Sequence, residues 1–191
     1  MDINIREEDY LENLKCGIKM KEDIFISQEK DVIILYDFKL KKKIINIEFH
    51  KHNISSLHIC KKPIFIDNKD SSVISNSYFI LSSSLDKKFE LHEIKYNNNT
   101  FKSKLVAQCR PTNDEINGAI QIENGQFLIV ARDQSLLLYS NEILNRTFQK
   151  LYEIKIEWPM QPESLFEIKN NYIGVGWEYD DAEADDTSED E

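Results

Sequence analysis

The chain contains an internal repeat, visible when the sequence is aligned with itself. Residues 25–38 (FISQEKDVIILYDF), 80–94 (ILSSSLDKKFELHEI) and 127–140 (FLIVARDQSLLLYS) share one pattern. Each has an apolar stretch, a polar turn and a second apolar stretch that ends in Leu followed by an aromatic residue or His. These ends recur at intervals of 56 and 47 residues. A unit of this length predicts a repeat architecture in which each copy packs on its neighbours.

The apolar residues of the repeat indicate strands. They form short β-branched and aromatic runs such as Val32-Ile33-Ile34-Leu35, whereas a helix would space them about three or four positions apart. Residues 120–127 also align with 166–173; the first segment holds Asn124-Gly125, a strong hairpin signal, and the second a weaker Asn170-Asn171. The sequence therefore predicts an all-β fold with strands at 16–20, 23–29, 32–38, 43–50, 54–60, 78–84, 88–96, 101–109, 116–122, 126–131, 135–140, 147–156, 163–169 and 172–177.

Asp86 and Asp133 occupy matching positions in the repeat. They lie six residues before His92 and Tyr139 respectively, the residues that follow the terminal Leu of each copy. This position falls in the turn between two strands, where an Asp side chain accepts hydrogen bonds from nearby backbone N–H groups. We predict that both aspartates stabilise turns and do not contact a partner.

Residues 82–94 resemble the stretch of a WD repeat in which small residues precede a turn Asp and the strand ends in Leu-Trp-Asp. Residues 33–44 are similar to the same strand, with Tyr36-Asp37 in place of Trp-Asp. His52 resembles the His that opens such a repeat, although Lys51 replaces the usual Gly, and no copy contains Trp-Asp itself.

This resemblance implies a partial WD-repeat-like β-propeller of four-stranded antiparallel blades. It also implies that His52, Asp86 and a Ser from 82–84 form a hydrogen-bonded chain that holds one blade together. The strands amount to about three and a half blades, whereas WD-repeat propellers usually close with about seven or eight. We therefore expect other proteins to complete the propeller, with a homodimer as the second arrangement.

The expected propeller-like domain spans 16–179. It follows an N-terminal extension, 1–15, in which residues 6–14 have the pattern of a short amphipathic helix. An acidic tail, 180–191, holds eight of the 34 acids and no base, a composition that predicts disorder. Thr187 and Ser188 lie among these acids and are candidate phosphorylation sites.

The charge pattern bears on the class of partner. Outside the tail, 26 acids face 24 bases, so the body of the chain is nearly neutral. Nucleic-acid binding requires a basic face, and we expect none.

No apolar run approaches the roughly 20 residues of a membrane-spanning helix, and residues 1–12 are too acidic for an export signal. The three cysteines form no disulfide framework, which favours reduced thiols in the cytoplasm or nucleus.

His50, His52, His58 and Cys60 carry donor atoms that could bind a metal. In the blade arrangement, however, 43–50 is an outermost strand and 54–60 is the innermost strand of the next blade. The four side chains should therefore not converge on one point, and we expect no metal. The sequence has neither a nucleophile-and-base motif nor a Gly-rich phosphate loop, so we expect no enzyme activity and no cofactor.

The insertion 61–77 separates two strands of the second blade. It is interpreted as a tolerated surface loop or as a partner-binding loop with Ile64, Phe65 and Ile66 as the apolar contacts. Taken with the absence of a catalytic motif, the repeat predicts a non-enzymatic protein–protein interaction scaffold within a larger assembly. The alternative is a chaperone-like or chromatin-associated binder of basic proteins that acts through the acidic tail.

Overall fold

A computed structural model of the protein describes residues 18–21, 23–67, 69–70, 77–97, 100–157, 161–168 and 172–177. Within these ranges the regular secondary structure consists of strands, without a helix. The strands are β1 (Ile18–Lys21), β2 (Ile24–Glu29), β3 (Val32–Asp37), β4 (Lys42–Glu48), β5 (Ile54–Cys60), β6 (Phe65–Ile66), β7 (Lys69–Asp70), β8 (Ser77–Ser84), β9 (Lys88–Asn97), β10 (Thr100–Cys109), β11 (Ile116–Gln121), β12 (Phe127–Ala131), β13 (Ser135–Leu144), β14 (Thr147–Lys155), β15 (Pro162–Ile168) and β16 (Tyr172–Trp177).

The strands form four sheets in chain order. Sheet A has the strand order β1-β2-β3-β4, and sheet B has the order β5-β8-β9-β10. Sheet C contains β11-β12-β13-β14, with the short pair β6-β7 added at β13, and sheet D contains β15 and β16. All pairs within these sheets are antiparallel except β6 with β13. The prediction of an all-β fold with antiparallel four-stranded sheets is confirmed.

Every strand predicted from the sequence occurs, and most ends differ by one or two residues. The largest difference is in β13, which continues to Leu144 beyond its predicted end at 140. Tertiary pairing explains this extension, because Ile143 pairs with Phe148 of β14 and with Ile66 of β6. Sequence periodicity along β13 carries no information about these distant partners.

Successive sheets pack through two apolar clusters. The first joins sheets A and B through side chains that include Ile26, Leu35 and Ile80. The second joins sheets B and C through a larger set that includes Phe89 and Phe127. Burying a side chain of this size stabilises the fold by about 1.5–3 kcal/mol, so these clusters hold the sheets in series.

The insertion does not present Ile64 to a partner. Ile64 is 1% exposed and belongs to the cluster between sheets B and C. Phe65 and Ile66 form β6, pair with β13 and are half-buried. The interpretation of Ile64 as a binding contact is wrong, because the chain folds back and uses this side chain as core.

Several sequence-based predictions lie outside the described residues. These are the helix at 6–14, the domain boundary at residue 16, the acidic tail 180–191 and the candidate phosphorylation sites Thr187 and Ser188. Within the described ranges, no helix has the length and apolar character needed to span a membrane.

Candidate functional site

Asp86 holds the turn between β8 and β9. The N–H of Lys87 donates to the carbonyl of Ser84 (3.2 Å), and Lys87 adopts a positive φ of 71°. Asp86 Oδ1 accepts the N–H of Lys88 (3.1 Å). This is a three-residue hairpin turn with its last residue in the left-handed region.

Asp133 holds the corresponding turn between β12 and β13. The N–H of Gln134 donates to the carbonyl of Ala131 (3.1 Å), and Gln134 has a φ of 65°. Asp133 Oδ1 accepts the N–H of Ser135 (3.1 Å), and Lys155 Nζ donates to Asp133 Oδ2 (2.6 Å). The two aspartates therefore occupy the same turn geometry in sheets B and C.

The histidine that contacts the Asp86 turn is His50 and not the expected His52. His50 is buried in the loop after β4; its Nδ1 lies 3.2 Å from Asp86 Oδ2 and its Nε2 lies 2.9 Å from Ser82 Oγ. The side chain of His52 is exposed, and only its carbonyl takes part, accepting from Ser84 Oγ (2.9 Å). The assignment to His52 is wrong because β4 ends at Glu48 and the crossing loop turns His50 inward.

The chain of polar contacts continues from Ser82 to His92. Ser82 Oγ lies 3.2 Å from His92 Nε2, and His92 is fully buried. The ring of Phe49 stacks on His92, with centroids 5.2 Å apart and planes 25° apart. Asp86, His50, Ser82 and His92 thus form one connected series from the turn of sheet B into its interior.

Glu90 lies beside this series without a complete set of partners. Its Oε2 is 3.4 Å from His92 Nε2 and 3.7 Å from His50 Nε2, and it accepts no hydrogen bond. Glu90 is 1% exposed, and Nδ1 of His92 also has no hydrogen-bond partner. The ligand atoms of His50, Glu90 and His92 all lie within 4.8 Å of one another. We call these three residues the His–Glu–His cluster.

The ionisation of Asp86 reflects its position at the edge of this cluster. Burial by itself raises the pKa of the carboxyl group, because it disfavours the charge. Hydrogen bonds from the N–H of Lys51, from His50 and from the N–H of Lys88 outweigh burial, and the pKa of Asp86 is lowered from 3.8. Asp86 therefore carries its charge in the folded protein at neutral pH.

The four residues first considered as metal ligands do not all meet. His58 and Cys60 lie on β5, opposite Leu81 and Phe79 of β8. Burial, with the charge of Lys61, lowers the pKa of His58 to about 4, and burial raises the pKa of the Cys60 thiol. Only His50 reaches the His–Glu–His cluster.

Sequence reasoning missed Glu90 and His92 as members of a site, although it offered one signal. The two residues are two positions apart on β9, so they lie on the same face of the strand. What the sequence does not show is that the loop after β4 brings His50 onto that face. Their association depends on the packing of sheet A on sheet B.

The face of sheet C that points away from sheet B carries two apolar rows, which we call the outer rows. Direct cross-strand pairing places each residue beside the next across β11, β12, β13 and β14. The first row consists of Gly118, Val130, Leu136 and Ile154. The second row consists of Ile120, Leu128, Leu138 and Tyr152.

Exposure rises along the outer rows toward β14. Val130 is 0% and Leu128 is 6% exposed, whereas Ile154 is 42% and Tyr152 is 62% exposed. Strand β15 covers the inner ends: a Cβ on Gly118 would lie 3.1 Å from the backbone nitrogen of Leu165. Sheet D therefore covers the β11 and β12 part of this face and leaves the β14 part accessible.

Comparison with protein-family models gives no match, and comparison with curated proteins gives none either.

Proposed function

We propose that the chain is a non-enzymatic scaffold that binds other proteins, built as a segment of a WD-repeat-like β-propeller. The observation that carries this proposal is the gradient of exposure along the outer rows, from 0% at Val130 to 62% at Tyr152. A partner protein would cover the exposed ends.

The equivalence of the sheets supports the propeller arrangement. Sheets A, B and C each contain four strands paired antiparallel in chain order, apart from the β6–β7 addition. Asp86 and Asp133 hold the same turn in sheets B and C. The buried contacts from Asp86 through His50 and Ser82 resemble the hydrogen-bonded chain expected for a WD-repeat blade.

The contact between sheets B and C provides an internal comparison for the outer rows. Val106 and Ala107 of β10, the last strand of sheet B, are 6% and 1% exposed because sheet C packs over them. The corresponding strand of sheet C is β14, with Ile154 and Tyr152 exposed. The difference arises because sheet D, within the described residues, contains only β15 and β16.

A protein partner suits this surface better than a small molecule. Strand β16 pairs with β15, and the described residues contain no strand on its other side. A partner could add strands to that edge, which satisfies backbone groups, and cover the outer rows with apolar side chains. Because Ile154 and Tyr152 are 42% and 62% exposed, burying the remainder would contribute about 1–1.5 kcal/mol each before the costs of association.

Crosslinking mass spectrometry of the chain isolated together with its bound proteins tests the proposal. Lys150 and Lys155 flank the exposed part of β14 and should crosslink to the partner. The substitutions Tyr152→Lys and Ile154→Lys should abolish the association. Leu40→Lys is a matched control, because Leu40 is 59% exposed in a turn of sheet A.

The comparison between variants decides the outcome. Retention of the partner by Leu40→Lys and its loss from Tyr152→Lys and Ile154→Lys supports the proposed surface. Retention by all variants, or equal loss from all of them, contradicts it. Imaging of the complex should show further sheets packed in series beyond sheet D.

A further inference from the structure

Glu90 is a buried acid with an unsatisfied carboxylate oxygen. Its carboxylate is 1% exposed, and Oε2 accepts no hydrogen bond. Asp86, a second carboxylate, lies on the other side of His50. Burying a carboxylate is costly unless a cation or a set of donors neutralises it. Among the described residues, no Lys or Arg forms an ion pair with Glu90; its close contacts are with the rings of His50 and His92.

Four of the separations among the donor atoms around Glu90 are compatible with a tetrahedral metal site. Ser82 Oγ lies 2.9 Å from His50 Nε2 and 3.2 Å from His92 Nε2. Glu90 Oε2 lies 3.4 Å from His92 Nε2 and 3.7 Å from His50 Nε2. Zinc bonds to nitrogen and oxygen are about 2.0–2.2 Å, which makes the edge of a tetrahedron about 3.3–3.6 Å. The four separations fall around this value.

The second ring nitrogen of His50, Nδ1, contacts a carboxylate, as is common for a metal-binding histidine. Asp86 Oδ2 lies 3.2 Å from Nδ1, which favours the proton on that nitrogen and leaves the lone pair of Nε2 directed into the cluster. Metal-binding histidines commonly donate their other ring N–H to a carboxylate in this way. The arrangement orients His50 as a ligand before any ion binds.

We propose that the His–Glu–His cluster binds Zn²⁺ through His50 Nε2, His92 Nε2 and Glu90 Oε2, with the Ser82 hydroxyl at the fourth corner. Imidazole nitrogens select zinc over calcium or magnesium, which prefer oxygen ligands. The charges balance, because the two positive charges of the ion offset Glu90 and Asp86. Because His50, Glu90 and His92 are all buried, the site is closed and structural.

The ion would fasten the loop after β4 to sheet B. A hydrogen-bonded series without metal explains the contacts of Ser82, but it leaves Glu90 Oε2 buried beside two ring nitrogens without a donor. Zinc gives that oxygen a bond. The site is contained within sheets A and B, and it is independent of partner binding at sheet C.

Zinc content and cobalt substitution of the chain, purified without a polyhistidine tag, test the proposal. The wild-type protein should hold one zinc ion per chain, and a chelator should lower its melting temperature until zinc is restored. Cobalt bound in place of zinc should give the visible absorption bands of a tetrahedral site. Both measurements use the wild-type protein, so neither depends on the folding of a variant.

Paired variants identify the ligands. Glu90→Gln should weaken zinc binding by more than the roughly 10–100-fold that loss of an outer partner costs. Glu93→Gln is its control, since Glu93 is buried on the same strand but contacts Ser77 and Lys95. His52→Gln, a change in the exposed histidine nearby, should also leave zinc binding unchanged.

Three results would overturn the site. The first is wild-type protein with no zinc above the buffer background and a melting temperature insensitive to zinc and chelator. The second is loss of zinc from His52→Gln with retention by Glu90→Gln, which would indicate surface binding. The third is an octahedral cobalt spectrum, which would exclude the closed tetrahedral geometry.

Discussion

His50 Nδ1 lies 3.2 Å from Asp86 Oδ2, and this contact ties the loop that leaves sheet A to the β8–β9 turn of sheet B. The same carboxylate oxygen accepts the N–H of Lys51 (3.0 Å), so it holds two consecutive residues of the loop. Hydrogen bonds to a buried charge are stronger than those between neutral groups. One aspartate side chain therefore anchors two residues of the connection between sheets A and B.

Replacing Asp86 with alanine should lower the free energy of unfolding by about 2–3 kcal/mol. The change removes the acceptor for His50 and for the N–H groups of Lys51 and Lys88. Asp133→Ala should cost only about 1 kcal/mol, because Asp133 serves one backbone N–H and an exposed lysine. Urea unfolding of both variants checks the order, and equal losses would contradict the role assigned to Asp86. Neither substitution should change partner binding at low temperature.

His50→Ala and His52→Ala should separate the buried histidine from the exposed one. Loss of His50 removes the side-chain partner of Asp86 and one of the two ring partners of Ser82, which should cost about 1–3 kcal/mol. Loss of the His52 side chain leaves the carbonyl bond from Ser84 in place and should change stability by less than about 0.5 kcal/mol. Thermal denaturation measures both. A larger loss from His52→Ala would restore the role first expected of it.

Stability should depend on pH through His58. The pKa of His58 falls from 6.5 to about 4 in the folded protein. The unfolded chain therefore binds this proton first as the pH drops, so the contribution is fully present above pH 6.5 and is lost between 6.5 and about 4. The loss should be on the order of 3 kcal/mol. His58→Gln should flatten the dependence in this window while His52→Gln preserves it; identical pH profiles for both variants would contradict the assignment.

Gly118→Ala should loosen sheet D. The added Cβ would lie 3.1 Å from the backbone nitrogen of Leu165 and 3.2 Å from Val130 Cγ1, so β15 would have to move outward. Such overpacking costs about 1–3 kcal/mol. Hydrogen exchange should become faster in β15 and β16 while sheets A and B keep their protection. Unchanged exchange in β15 would show that this hairpin does not rest on Gly118.

The strands could be predicted from sequence because each is a short apolar run closed by turn residues, as in Asn124-Gly125. Gly125 does adopt a positive φ of 88°, as the hairpin requires. The pairing of β6 with β13 could not be predicted, since two residues of a loop carry no strand periodicity. The burial of Ile64 was missed for the same reason.

The sequence predicts a hydrogen-bonded polar network around the Asp86 turn, but it does not identify every residue of that network correctly. The repeat predicts the turn position of Asp86, and the WD-repeat resemblance implies a serine from 82–84 as its neighbour, but it assigns the histidine to His52 and not to His50. That choice depends on β4 ending at Glu48 rather than at residue 50. The sequence does not predict the burial of Glu90, because an acid in a strand normally faces solvent, whereas here the loop after β4 brings His50 next to it.

Sedimentation of the purified chain over a range of concentrations most directly tests the claim that the outer rows are an accessible binding surface. When no partner protein covers them, the exposed ends at Ile154 and Tyr152 should make the isolated chain self-associate, with an apparent mass that rises above 22.5 kDa as concentration increases. The double substitution Tyr152→Lys and Ile154→Lys should shift the protein back toward the monomer. A single species of 22.5 kDa at every concentration, which melts in one cooperative step, would contradict the proposal that this face awaits a partner.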